Sequence, residues 1–232
     1  MPSRILIVED DPDIAEALRY NLEKAGFEAQ CAEHGERALE LLSERPPDLV
    51  LLDLMLPGIS GLDVCRRIRA APATALLPVL MLTAKGEESD RLEGFDAGAD
   101  DYVTKPFSIQ EVLRRIQAIL RRAQPAGAAR ASFQIKDLHV ELPLQRALLS
   151  GEDLRLTGIE FKLLWHVLRN SAQTLTRQWL LENVWGYASG TESRTVDVHL
   201  RRLREKLGAY ADVVETVRGS GYRYNATRYG PL

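Results

Sequence analysis

The chain has 232 residues, is 45% hydrophobic and 27% charged, and carries a net charge of −3; these are ordinary globular values, which exclude a disordered or fibrous class and favour two packed domains. Nowhere do about 18 apolar residues run together, and the opening "MPSRILIVEDD" is too short in apolar residues for a signal-peptide core, so a soluble cytosolic protein is expected. The charge is uneven: residues 1–122 hold 15 Lys+Arg against 22 Asp+Glu and residues 123–232 hold 15 against 11, so an acidic part is joined to a basic part for which nucleic acid is a candidate partner.

From Arg4 onward, short apolar runs alternate with amphipathic segments: "RILIV", "EAQCA", "LVLLD", "PVLMLT" and "DYVT" read as strands separated by helices. Such a βα repeat predicts a doubly wound parallel sheet, an α/β domain over residues 1–122. The first helix is punctuated by Asp11 as N-cap, Pro12 at the first helical position and Gly26 as its stop, with Ile14, Ala17, Leu18 and Leu22 as the apolar face. Cys31 and Cys65 form no disulfide framework and no metal-like spacing, and read as small buried hydrophobes.

Residues 123–132, rich in Ala, Gly and Pro at their start, read as a linker. Residues 133–232 follow a different pattern. "FQIKDLHVEL" and "RALLSGEDLRL" read as strands turning at Ser150-Gly151, and Thr157 with Glu160 has capping-box spacing at the head of a helix. Two further helices are expected in "TRQWLLENVWG" and "TVDVHLRRLREKLG", and the chain closes with β-rich runs on either side of "RGSG".

Chemistry concentrates at the strand ends. Glu9 and Asp10 follow the first strand and Asp53 ends the third, in the crevice where doubly wound sheets bind ligands. Three carboxylates brought together repel one another unless a cation sits among them, and an all-oxygen donor set suits a hard ion such as Mg²⁺. The fourth and fifth strands deliver the Thr83 hydroxyl and the Lys105 ammonium to the same edge, which makes a site for a phosphoryl group.

"VEDD", "LLDLMLPGISG", "MLTA" and "GADDYVTKPF" together resemble the four signatures of the response-regulator receiver domain, over residues 1–122. The resemblance implies a flavodoxin-like strand order 2-1-3-4-5 and makes Asp53 the acceptor of a phosphoryl group from a partner histidine kinase. It places Mg²⁺ on Asp10, Asp53 and the backbone carbonyl of Met55, with Glu9 assisting through water. Thr83 and Lys105 would bind the phosphoryl oxygens, Tyr102 would swing inward as Thr83 moves, and the Lys105-Pro106 bond would be cis. A rival reading, an aspartate-nucleophile phosphohydrolase, needs a second acid two residues after the nucleophile; Met55 stands there and cannot carry a catalytic proton, so no enzyme is expected.

In the second part, Val196, Leu200, Leu203 and Leu207 make one apolar stripe on a helix, with Arg201 and Arg202 read as pointing away and His199 and Arg204 on the flanks. Such a helix docks by one side and offers the other to the major groove. With "LTGIEFKLLWHVL", "LLENVWG" and "VETVRGSGYRY", it resembles the α+β winged helix-turn-helix effector of the OmpR/PhoB subfamily. That likeness implies DNA contacts by Arg194, His199, Arg201, Arg202 and Arg204 and a wing-tip Arg218, on double-stranded DNA with paired half-sites. It also places "GYASGTES" where family activators meet RNA polymerase, and makes Arg91, Leu92, Asp101, Glu111, Leu113 and Arg115 a homodimer face of cross-subunit ion pairs, used when the protein is phosphorylated. Two other readings are weighed, a DNA-binding scaffold that no longer answers to phosphate and a relay without a DNA target; the intact acidic set opposes the first and the basic helix opposes the second.

Overall fold

The computed structural model describes residues 2–84, 97–121, 132–187 and 195–232. The chain divides into two compact units, Met1–Leu120 and Arg121–Leu232.

The first unit is a parallel sheet of β1 (Arg4–Val8), β2 (Glu28–Ala32), β3 (Leu49–Asp53), β4 (Val79–Ala84) and β5 (Asp101–Lys105), in the order β2-β1-β3-β4-β5. Its helices among the described residues are α1 (Pro12–Lys24), α2 (Gly35–Glu44), α3 (Gly61–Ala70) and α4 (Ile109–Arg121). The apolar runs of β1, β3 and β4 lack a polar face because both sides of the sheet are covered. On one side, Ile5, Ile7, Leu49 and Leu51 pack with Leu18 and Leu22 of α1 and Val112, Ile116 and Ile119 of α4. On the other, Leu6, Val8, Val50 and Leu52 pack with Leu41 and Leu42 of α2 and Val64, Cys65 and Ile68 of α3.

Helix α1 begins as its sequence dictates: Asp11 accepts from the backbone N–H groups of Asp13 and Ile14, Pro12 follows, and Gly26 beyond its end takes φ +88°. Ala17 is exposed rather than part of the apolar face; the sheet is met by Leu18 and Leu22, and the expected arc was one residue too wide. Cys65 is buried, whereas Cys31 is only half-buried.

The second unit opens with an antiparallel meander of β6 (Ser132–Ile135), β7 (Leu138–Glu141), β8 (Arg146–Leu149) and β9 (Glu152–Asp153). Ser132, expected as the last linker residue, is the first residue of β6 and pairs with Glu141. Ser150 and Gly151 turn the last hairpin with φ of 51° and 86°, the left-handed pair that a two-residue hairpin requires. Three helices follow: α5 (Gly158–Arg169), α6 (Arg177–Leu180, continued by a wider π turn over Leu181–Trp185) and α7 (Thr195–Leu207). The hairpin of β10 (Val214–Val217) and β11 (Gly221–Tyr224) is followed by one short turn of helix, α8 (Ala226–Tyr229).

The capping box forms at α5, the Thr157 N–H donating to Glu160 at 2.8 Å and the Glu160 N–H to the Thr157 hydroxyl at 3.4 Å. Glu160 is buried and also accepts from the Lys206 ammonium at 2.6 Å, which ties α7 to the head of α5. The predicted stripe of α7, Val196, Leu200, Leu203 and Leu207, lies wholly in the core with Phe161, Leu164 and Trp185.

Candidate functional site

Parallel register sets the first site. Val8 pairs with Leu52, Asp53 with Leu82, Thr83 with Thr104 and Ala84 with Lys105, so the residues that end β1, β3, β4 and β5 stand along one carboxyl edge. Its crevice is the switch point between β2-β1 and β3-β4-β5, where the connections leave to opposite sides. The carboxylates of Glu9, Asp10 and Asp53 present oxygens all within 4.8 Å of one another. Glu9 and Asp53 are 2% and 3% exposed, while Asp10 is open to solvent.

Lys105 donates to both oxygens of Glu9 and to one of Asp53, each at 2.8 Å. Three carboxylates and one ammonium leave the cluster two charges negative when all are ionised. Burial pushes the Glu9 carboxyl up to about 7, against the lowering effect of its hydrogen bond from Lys105. Burial works against the charged Lys105 ammonium, yet its bonds to Asp53 and Glu9 hold its pKa above the ordinary value. The Met55 N–H donates to the second Asp53 oxygen at 3.2 Å, and Met55 is 68% exposed.

Thr83 is 1% exposed and its Oγ1, buried at the same edge, has no hydrogen-bond partner among the described residues. A buried hydroxyl left in this way is costly unless something arrives to bond it. Tyr102 is half-buried against the same core, and the Lys105-Pro106 bond is cis. The donor set, carboxylate oxygens only, with net negative charge and partly open to water, fits a hard divalent cation.

The sequence does not reveal how near α3 starts to the loop after β3. A Cβ on Gly61 would lie 2.0 Å from the Asp53 carbonyl oxygen and 2.9 Å from its carbon, so only glycine lets α3 start this near the loop after β3. Nothing local marks that contact; Gly61 enters the sequence reading only as the last residue of the "LLDLMLPGISG" signature. Also missed was the fixing of the far end of the sheet by Arg69, which donates to the carbonyls of Gly98 and Leu77 at 2.8 and 2.6 Å and to Asp100 at 2.7 Å.

Of the residues expected at a dimer face, Arg115 pairs with Asp101 and Glu111 within the chain. Arg115 donates to Asp101 at 2.9 Å and to Glu111 at 2.7 Å within its own chain, and Asp101 is 1% exposed. Glu111 and Arg115 are one helical turn apart, so the guanidinium finds both acids without a second subunit. Leu113 is half-buried against the core. Arg91 and Leu92 lie outside the described residues.

In the second unit, Arg201 is on the open side of α7, within 3.5 Å of Glu205, and Arg218 is exposed at the hairpin tip. Two candidates are not on that side. His199 is wholly buried, its ring 5.4 Å from that of Trp185, and Arg202 is 7% exposed. At 100° per residue they share a flank with Thr195, also fully buried; α7 buries this flank as well as its stripe, so neither is offered to a groove in this conformation. Arg204 is turned inward along the hairpin, donating to the Val214 carbonyl at 2.7 Å and the Thr216 hydroxyl at 2.8 Å. Arg194 and most of "GYASGTES" lie outside the described residues.

Residues 5–117 match the response regulator receiver domain and residues 151–224 the C-terminal domain of transcriptional regulatory proteins. The phosphate regulon transcriptional regulatory protein PhoB of Rhizobium meliloti is 44% identical over 96% of this chain and 98% of its own. That of Pseudomonas aeruginosa is 43% identical over 95% and 96%. The response regulator DrrB, a Thermotoga maritima OmpR/PhoB homolog, is 30% identical, with a TM-score of 0.52 over 97% of this chain and 99% of that one.

Proposed function

Because the chain belongs to the two-component transcriptional response regulators of the OmpR/PhoB type, we propose that Asp53 takes a phosphoryl group from a sensor histidine kinase and that this modification governs DNA binding. The observation that carries the assignment is the single ammonium of Lys105 shared between Glu9 and Asp53 beside the unbonded Thr83 hydroxyl.

One Asp53 oxygen attacks phosphorus and the bond to the kinase histidine breaks, leaving an acyl phosphate on Asp53 and a neutral imidazole on the kinase after proton exchange. Both reactants are anionic, so the step depends on positive charge placed in advance. Lys105 supplies one such charge, moving its hydrogen bond from the Asp53 carboxylate to a phosphoryl oxygen. Thr83 donates its free hydroxyl to another and gains the partner it lacks. Glu9, Asp10, Asp53 and the Met55 carbonyl would hold Mg²⁺, which when bound offsets the phosphoryl charge. Met55, where a hydrolase needs an acid, makes the chain a stoichiometric acceptor rather than an enzyme.

As Thr83 is drawn inward, Tyr102 rotates and a dimerising conformation is favoured. A coupling of about 1 to 3 kcal/mol changes dimer affinity roughly 5- to 150-fold, and two linked DNA-binding units on paired half-sites then gain effective concentration. The ion pairs of Arg115 within the chain must be shared or exchanged for cross-subunit pairs in that dimer. Among the described candidates, Arg201 and Arg218 carry the DNA contacts available without rearrangement. Residues 186–193 would meet RNA polymerase, and the protein works in the cytoplasm; among the described residues no helix is long and apolar enough to cross a membrane.

The test is intact-mass measurement with acetyl phosphate and MgCl2 on wild type and Asp53→Ala, with size-exclusion chromatography of the same samples. One added phosphoryl group that needs both Asp53 and Mg²⁺, with a shift to dimer, is expected. No gain in mass overturns the assignment.

A further inference from the structure

A recognition helix and a wing enter two grooves at once only if the angle between them is held, and the second unit contains a bonded network at that joint. Tyr222 of β11 is 3% exposed. Its backbone pairs with Leu175, the Leu175 N–H donating to its carbonyl at 2.7 Å and its own N–H donating back at 2.9 Å. A Cβ on the preceding Gly221 would lie 2.0 Å from the Leu175 carbonyl oxygen, and Gly221 has φ +144°, so this seam tolerates no other residue without moving.

The Tyr222 hydroxyl donates to Asp197 on the outer side of α7. Arg177, the first residue of α6, donates to the same Asp197 carboxylate through Nε at 3.1 Å and Nη2 at 2.9 Å, and to the Tyr222 hydroxyl at 3.1 Å. Its guanidinium lies 5.2 Å from the Tyr222 ring centre, and that of Arg204 lies 5.8 Å from it. Arg204 in turn holds the Val214 carbonyl and Thr216 hydroxyl of β10. Burial, with the bond to Asp197 adding to it, pushes the Tyr222 phenol up to about 12, so the hydroxyl remains a donor throughout the working range.

We infer that Tyr222 is a positioning residue for DNA binding, which with Asp197, Arg177 and Arg204 sets the angle between α7 and the β10–β11 wing. The inference rests on the DNA-binding reading and goes beyond it, since none of the network need touch DNA. Asp197 gives a reason of its own. A carboxylate on the outer side of a helix that faces phosphates weakens binding, and a bidentate guanidinium with a buried phenol makes it a structural anchor instead.

The test uses the full chain and a duplex selected from a randomised pool by the wild-type protein, with binding measured from low to high KCl. Tyr222→Phe keeps the ring and removes the hydroxyl; about tenfold weaker binding is expected, with a salt slope shallower by about 0.9, one phosphate contact, as the wing disengages. Asp197→Asn should act in the same direction. Arg218→Ala should weaken wild type but add little to Tyr222→Phe, because a wing already misaligned has no tip contact left to lose. Loss of fold stability alone would give additive effects and an unchanged slope. Additive losses, or Tyr222→Phe with wild-type affinity and slope, overturn the inference. A wild-type chain that selects no duplex overturns the DNA-binding reading and this inference with it.

Discussion

Replacing Lys105 by methionine should destabilise the metal-free receiver unit by an amount that grows with pH. Lys105 is the shared donor to Glu9 and Asp53, each bond 2.8 Å, and the two acid side chains are 0% and 5% exposed. Removing one partner of a buried pair costs about 3 to 5 kcal/mol when the other stays charged. Here the acids have an escape, because Glu9 already has its pKa at about 7 with the lysine present. Without the ammonium it rises further, and the folded variant takes up a proton that the unfolded chain, with an ordinary carboxylate, does not hold. A group whose folded pKa is raised stabilises fully only below its unfolded value, and that contribution is lost as pH climbs through the folded value.

Above pH 7 the wild-type Glu9 is ionised in both states and the slope is flat, whereas the variant loses about 1 kcal/mol per pH unit up to its own higher pKa. The expected difference is about 1 kcal/mol at pH 6 and about 2 kcal/mol at pH 8, capped by proton uptake below the buried-pair figure. Urea denaturation in EDTA at several pH values measures it. MgCl2 at pH 8 should narrow the gap, since a divalent cation on the same carboxylates replaces the lost charge. A gap independent of pH, or Mg²⁺ that stabilises the variant no more than wild type, would refute this electrostatic account of the crevice.

Gly61→Ala should cost about 1 to 3 kcal/mol by overpacking and slow phosphorylation by acetyl phosphate, since its Cβ would stand 2.0 Å from the Asp53 carbonyl oxygen; normal rates would show that α3 can move without moving Asp53. Arg69→Ala should be among the most harmful single changes, about 3 to 5 kcal/mol, because Asp100 is buried and paired to it at 2.7 Å. Arg69→Met with Asp100→Asn should recover part of that loss in chemical denaturation, and no recovery would mean that the carbonyl bonds of Arg69 matter more than the charge. In alkaline titration followed at 295 nm, the Tyr222 and Tyr229 phenols, both raised to about 12 by burial first, should appear as a late phase of ionisation. Their folded pKa values exceed the unfolded ones, so stability should be full below pH 10 and fall as pH rises through 12; uniform ionisation near pH 10 in a protein still folded by circular dichroism would contradict this.

The acidic set of Glu9, Asp10, Asp53, Thr83 and Lys105 was legible in the sequence because the feature that gathers it is local: each residue stands at or beside the end of an apolar strand, and parallel pairing brings those ends to one edge. The same holds for the caps at Asp11 and Thr157 and the buried stripe of α7, which follow from spacing along one element. What the sequence could not decide was set by contacts between elements distant in the chain. Ala17, His199 and Arg202 were misjudged because the width of a helix's buried arc depends on how far its neighbours wrap around it, and periodicity gives only the centre of that arc. That Arg115 pairs with Asp101 and Glu111 of its own chain was not legible, because only the fold brings Asp101 within its reach. The helix–wing joint, in which Arg177, Asp197, Arg204 and Tyr222 meet across up to 45 positions of sequence, has no local signature, since charged residues and a tyrosine scattered on three elements become one network only when tertiary packing closes the distance.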